Sequence, residues 1–341
     1  MTLVLPRLEM EGVAGCEIDL SYSERFTSDG RHLAQDVVYC AGDRILPSGD
    51  RVRYLASQPR GARYVRVTVR GASGDVVFRD LTFLSCHYPV DTIGAFRCSD
   101  PSLDAIWRLC ERTQRANMED AYVDCSGRER GMYLRDTIIQ FHVALAAYGD
   151  TALMGRCMEL FGQSPRDDGT FRCVFPTTGG YGIADYAIEA IDGYWQYYLG
   201  SGDLCRLETD WPAMRRTIDW FNALSDERAD GLLDADWPLR RGVAEPYGGL
   251  HGDNSVSEAL LDKSGPNAGL TFPYVSMLRS AALIAAALGR PAEALALNAR
   301  RSRVAESARR LLWNESLGRF NDNLVGSTQS IQANLLAVTS G

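Results

Sequence analysis

The chain of 341 residues contains no run of eighteen apolar residues, the length a helix needs to cross a bilayer, so no membrane partner is expected. Its opening stretch "MTLVLPRLEMEGVAGCEIDL" has no basic region ahead of a sufficient apolar run, so no secretory leader is read there. Positive charge is not in excess. The net charge is −8, from 36 Lys+Arg against 44 Asp+Glu, which argues against nucleic acid as a partner. The 4 histidines (His32, His87, His142 and His251) are too widely spaced for a helical metal pair. No Cys-x-x-Cys occurs among the 9 cysteines, which sets aside a zinc ribbon or a redox pair. The thiols read instead as reduced, mostly buried cysteines of a cytoplasmic protein. No metal and no cofactor is called for. What is present, 45% hydrophobic and 23% charged residues, is ordinary for a globular chain and enough for a large core.

The first ninety or so residues alternate. In "RYVRVTVRG", Val65, Val67 and Val69 fall on one side and Arg66, Thr68 and Arg70 on the other, the pattern of a half-buried strand. "CEIDL" (16–20), "DVVYC" (36–40), "RVRYL" (51–55) and "VVFRDLTFL" (76–84) read likewise, separated by the turn signals "SDGR", "AGD", "PSGD" and "GASGD". This predicts a β-sandwich over residues 1–92, entered partway through because few strands are visible.

The period then changes. Asp100 is placed to cap a helix and Pro101 to open it, with Leu103, Ile106, Trp107 and Cys110 along one face. Further helices are expected over 135–149, 151–163, 185–200, 211–224, 268–288, 291–313 and 329–339. "GDTAL", "SGDL" and "ALGRPAEAL" make tight turns between them, while 164–184, 225–255 and 314–328 are longer loops. Short turns alternating with long, chemically varied loops suggest stacked helical hairpins with the long loops gathered at one end. No strict repeat is found, so a closed helical barrel fits better than a solenoid. The fold class is therefore multidomain, β then α, with the helical domain over 93–341.

The stretch "VDCSGRERGMYLRD" (123–136) holds three carboxylates and three arginines. Arg-Glu-Arg clusters are ordinarily exposed ion pairs, worth under about 1 kcal/mol each. This one connects two core helices, carries acids at three positions and is flanked by Tyr122 and Tyr133. A pair of acids is the minimum equipment for glycoside hydrolysis. If Glu129 begins a helix, Asp136 lies two turns on and nearly eclipsed, and Asp124 reaches the same place from the loop before. If 128–130 is extended, the two arginines point away from the side Glu129 faces. That matters because an arginine contact opposes protonation of a general acid, whereas burial or a neighbouring carboxylate favours it.

"DAYVDCSGRERGMYLRD" resembles the signature loop of bacterial α-L-rhamnosidases, glycoside hydrolase family 78, whose usual form runs Asp-Cys-Pro-x-Arg-Glu-x-x-x-Trp-x-x-Asp. "YPVDTIGAFRCSDPSLDAIWRLCERTQRANMEDAYVDC", "YGDTALMGRCMELFGQSPRDDG", "ADYAIEAIDGYWQYYLGSGD" and "SIQANLLAV" extend the likeness along the chain. The resemblance implies an (α/α)6 barrel after the β-sandwich. It implies hydrolysis of terminal α-L-rhamnosides with inversion, the substrate being a rhamnose-containing oligosaccharide or glycoside. By position Glu129 is the general acid, Asp124 and Asp136 bind rhamnose hydroxyls and tune it, and Arg128 contributes to the sugar pocket. Trp237, in "DADWPLRRG", supplies an apolar wall. Ser126 stands where the family has proline, and Tyr133, still able to stack on a sugar, where it has tryptophan. The family's general base is a glutamate further downstream with no matching position here, so the barrel is expected to be incomplete. The alternatives are a sugar-binding or structural remnant without activity, or a related hydrolase acting on another sugar.

Elsewhere, "GVAEPYGGLHGDNS" (242–255) carries His251, Asp253 and Glu245 and is read as a sugar subsite or an ordinary long loop. Glu189 and Asp192 are assigned to a helix surface, and Asp185 to an N-cap or a ligand. Tyr194, Trp195, Tyr197 and Tyr198 are read as core, and "ARRSRVAESARR" as a solvated outer helix face.

Overall fold

The structure is a computed structural model that describes residues 2–34, 42–177, 183–234, 262 and 264–341. The chain divides into two compact units, Met1–Met132 with His142–Asp150, and Tyr133–Phe141 with Thr151–Gly341.

The first unit opens with two antiparallel sheets. In one, β1 (Thr2–Glu11) pairs with β4 (Arg51–Leu55), β5 (Arg60–Ala62) and β7 (Val77–Ser85). In the other, β2 (Glu17–Ser23) lies between β3 (Gly42–Ile45) and β6 (Tyr64–Arg70). Alternate residues turn inward: Leu8 and Met10 of β1 meet Ile18 and Leu20 of β2 and Ile45 of β3 in one buried cluster, with Val67 and Val69 of β6 against it. Each such aliphatic contributes about 1.5–3 kcal/mol over an exposed one. The two sheets thus share a core, as the alternation predicts. β1, β3 and β5 are additional to the strands expected, and the expected strand at 36–40 lies outside the described residues.

Helix α1 (Pro101–Ala116) follows, with the Asp100 carboxylate accepting the Ser102 N–H at 2.8 Å and Pro101 in the first turn. The helix forms as expected, but Leu103, Ile106 and Cys110 of the expected face are exposed, as is the neighbouring Leu109.

The remaining described elements are α2 (Leu134–Tyr148, whose part from His142 onward belongs to the first unit), α3 (Ala152–Gly162), α4 (Ala184–Ser201), α5 (Leu204–Asp226), α6 (Ala268–Ala287), α7 (Pro291–Leu312) and α8 (Ile331–Ser340). A short hairpin, β8 (Trp313–Asn314) and β9 (Arg319–Phe320), occupies part of the stretch read as loop 314–328. α5 begins at Leu204, not 211: Pro212 lies inside the helix, and Asp203 caps it by accepting the Arg206 N–H at 3.0 Å. Gly202, at φ +72°, closes α4 in the left-handed region that a side chain disfavours, so two residues suffice to turn the chain. α6 is apolar and long enough to cross a membrane by composition, yet most of it is buried inside the protein.

Tyr194 and Tyr197 of α4 are buried, as expected for core, while Trp195 and Tyr198 are half-buried and pack ring on ring at 5.5 Å. The basic stretch lies on α7 with Arg303, Arg309 and Arg310 exposed, in line with a solvated face. The cysteines depart from expectation. Cys16, Cys157 and Cys173 are buried, but Cys98, Cys110 and Cys205 are exposed.

Candidate active site

Asp124, Arg128 and Glu129 lie in one loop of the first unit, between α1 and α2. Asp124 closes that loop twice: its N–H donates to the Gly131 carbonyl at 2.9 Å, and its Oδ1 accepts the Gly131 N–H at 2.8 Å. The Cys125 thiol, its pKa raised by burial, accepts the Glu129 N–H at 3.3 Å. Arg130 takes a left-handed backbone, φ +48°, and sends its guanidinium to both oxygens of Glu119 and to the Pro59 carbonyl at 3.0 Å. On the other side, a Cβ on Gly61 of β5 would stand 1.8 Å from the Ser126 carbonyl oxygen, so glycine alone lets the strand approach the loop. Ser126, at the position where the family has proline, is fully buried.

Glu129 is half-buried, and the Arg128 guanidinium folds onto its carboxylate as an ion pair. The condition of the extended-chain expectation is not met, because Arg130 is left-handed; its guanidinium goes to Glu119, while that of Arg128 turns to Glu129. The reason is reach. Arg130 has Glu119 to pair with, whereas Arg128 is exposed and has its sequence neighbour within range.

Tyr133 and Asp136 belong to the second unit. Tyr133 forms an isolated antiparallel bridge with Val174, and the Leu134 N–H donates to the Cys173 carbonyl at 2.8 Å. Thr137 donates from its N–H and its hydroxyl to the Tyr133 carbonyl, at 2.9 and 2.7 Å. Asp136 lies in the first turn of α2, where the helix dipole favours an anion. Its Oδ2 accepts a hydrogen bond from the Tyr186 hydroxyl at 3.4 Å. Trp237 and His251, and the rest of the Gly-rich loop with them, lie outside the described residues.

The second unit also holds carboxyls that the sequence alone puts on a surface or at a cap. Asp185 is no N-cap, for Ile183 occupies that position, and it pairs with Arg135 at 3.3 Å. Glu189, one turn on, meets the same guanidinium at 3.2 Å. Burial raises the Glu189 carboxyl to about 7, Asp185, Asp192 and Asp136 adding to the effect against the opposing pull of Arg135. Asp192 accepts the Ser280 hydroxyl at 2.8 Å. Glu189 and Asp192 line a cavity of about 230 Å3 with Ser276, Arg279, Ile138 and Phe272. A carboxyl poised near neutrality can hold or release a proton under mild conditions. The sequence offers one signal for it, the 185-189-192 spacing on a single helix face. Among the described residues no cluster of metal-ligating side chains is found.

Residues 91–341 match the bacterial alpha-L-rhamnosidase six-hairpin glycosidase domain. A search of curated proteins by sequence returns no match. Among solved structures, a family 78 rhamnosidase of Bacillus sp. GL1 is similar over 100% of this chain and 34% of its own, at 26% identity and a TM-score of 0.86. A Klebsiella oxytoca rhamnosidase with rhamnose bound is similar over 99% of this chain and 66% of its own (18% identity, TM-score 0.80). For a Streptomyces avermitilis α-L-rhamnosidase complexed with L-rhamnose the shares are 94% and 29%, at 20% identity and a TM-score of 0.71. The last two establish fold alone. Because the match takes in residues 91–341, most of this chain, the chain belongs to the bacterial α-L-rhamnosidase six-hairpin glycosidase family.

Proposed function

We propose that the protein hydrolyses terminal α-L-rhamnosides with inversion at the anomeric carbon, its helices forming part of an (α/α)6 barrel. The observation that carries this reading is the 123–136 segment. Its acids keep the family's spacing, in a chain whose residues 91–341 match the rhamnosidase domain. Its loop is closed on itself through Asp124, with Glu129 half-buried upon it. Glu129 protonates the leaving oxygen. Asp124 and Asp136, fixed acceptors at a loop closure and a helix start, take sugar hydroxyls. Tyr133 offers a ring to the pyranose, and Arg128 exchanges its carboxylate partner for the sugar. Inversion requires a second carboxylate about 6.5–9.5 Å from the acid to activate water. That base is not assigned to a residue of this chain.

Inversion makes a direct demand on the product. Proton NMR of an aryl α-L-rhamnoside digest should show β-L-rhamnose first, with the α-anomer growing in only by mutarotation. If α-L-rhamnose appears first, the mechanism is retaining and the reading is wrong on that point.

A second reading, rhamnoside binding without turnover, is favoured by the Arg128–Glu129 ion pair, which occupies the carboxylate that would donate the proton. Binding of L-rhamnose together with no release of the aryl group would select it.

A further inference from the structure

The second unit shows how the start of α2 is held. Arg135 and Asp136 are neighbours in its first turn, and both engage α4. The Arg135 guanidinium spans Asp185, 3.3 Å from Nη1, and Glu189, 3.2 Å from Nε, which stand four residues apart on one face of α4. Tyr186, on the same turn and itself buried, donates its hydroxyl to Asp136. One turn further along α2, Ile138 fills the notch left by Gly193. A Cβ on Gly193 would lie 2.7 Å from the Ile138 side chain, so the two helices approach more closely there than any larger residue allows. Arg135 and the carboxyls of Asp185, Asp192 and Asp136 all act on the Glu189 carboxyl, and Arg279 lines the cavity that Glu189 and Asp192 border.

We propose that Arg135 is a positioning residue, which docks the first turn of α2 on α4 and thereby fixes the Asp136 carboxylate for its ligand. This rests on the assignment of Asp136 to sugar binding. The mechanical reason is that the Tyr186–Asp136 hydrogen bond is long, at 3.4 Å, and a bond of that length restrains orientation weakly. The two-point ion pair from the adjacent residue adds a firmer constraint, because it ties down the backbone from which Asp136 projects. A guanidinium suits this role because its planar fork meets two carboxylates at once, which an ammonium cannot do with the same geometry. The Glu189 carboxyl is raised by burial, and the guanidinium it shares with Asp185 only partly offsets that rise.

The test is a double-mutant cycle on the full chain, read as the dissociation constant for L-rhamnose by titration calorimetry. Asp136→Asn and Arg135→Gln should each weaken binding at least tenfold. The double variant should bind no more weakly than Asp136→Asn alone, because Arg135 acts through Asp136. Arg135→Lys should recover part of the loss. A merely structural arginine would lower the thermal midpoint and add its effect to that of Asp136→Asn. If Arg135→Gln does not melt cooperatively, Tyr186→Phe, which removes only the hydroxyl facing Asp136, takes its place in the cycle with the same expectation. Wild-type affinity in Arg135→Gln, or independent multiplication of the two losses, overturns the positioning role and leaves the sugar reading intact. Wild-type affinity in Asp136→Asn, or no rhamnose binding by the unsubstituted chain, overturns the sugar reading and the positioning role with it.

Discussion

Arg130 holds both oxygens of Glu119 while its own backbone sits at φ +48°, a conformation that costs a side-chain-bearing residue about 1–2 kcal/mol. The ion pair and the bond to the Pro59 carbonyl keep the loop in that shape. Arg130→Ala loses the contacts and keeps the strain, whereas Arg130→Gly loses the contacts and relieves it. Urea unfolding should therefore show both variants destabilised, alanine by about 2–3 kcal/mol and glycine by about 1 kcal/mol less. A glycine variant as unstable as alanine would show that the left-handed backbone carries no cost.

Gly61 makes its contribution by having no side chain. Alanine there brings a methyl against the Ser126 carbonyl, and neither strand nor loop can yield without moving the Glu129 loop. Stability should fall by about 1–3 kcal/mol, the usual cost of overpacking, and rhamnose affinity should fall with it. Gly74→Ala is the control, since nothing lies within 4 Å of a Cβ there. Equal melting curves for the two variants would refute the close-approach account.

Glu189 makes stability depend on pH. Its carboxyl stands at about 7 in the folded chain, against 4.5 for the free group. The folded state therefore binds more protons than the unfolded one between these values, and stability falls as pH rises from 4.5 through 7, then levels. The contribution is at most about 3 kcal/mol. Glu189→Gln should flatten the slope in that window and be the more stable protein at about pH 8, above the folded value. Parallel stability curves for variant and wild type would place the burial penalty elsewhere.

Much of this is legible in the sequence, and the gaps have physical causes. The alternation of Val65, Val67 and Val69 gives β6, and Asp100-Pro101 gives the start of α1, because both are local signals. β1 escapes a sequence reading although "PRLEME" alternates, since the unbroken apolar "LVL" before it hides the period and Pro6 stands inside the strand. The expected start of α5 falls too late because Pro212, a residue that suits a first turn, lies well inside the helix. Glu189 reads as surface, and Asp185 as an N-cap or a ligand, because periodicity tells which residues share a face and not what opposes it. Arg135, fifty residues away from Asp185, is what opposes it. The triad Asp124, Glu129 and Asp136 is legible as a pattern, but the Arg128–Glu129 pair depends on side-chain reach, which spacing does not encode.

The exposed stripe Leu103, Ile106 and Leu109 on α1 presents an apolar face to solvent. Faces of this kind bind hydrophobic dyes and promote association. The chain should enhance the fluorescence of such a dye and sediment above its monomer mass at high concentration. The pair Ile106→Lys and Leu109→Lys should reduce both effects without lowering the melting temperature, since neither side chain is buried. Unchanged dye binding would locate the apolar surface on another element.

The most direct measurement is turnover of an aryl α-L-rhamnoside by the protein with Glu129 intact and with Glu129→Gln. The amide keeps the size of the side chain and removes the transferable proton. The variant's kcat should fall at least about a hundredfold, the low end of a general acid's contribution, with little change in rhamnose affinity. Undiminished kcat in Glu129→Gln would contradict this and remove Glu129 from the role of acid.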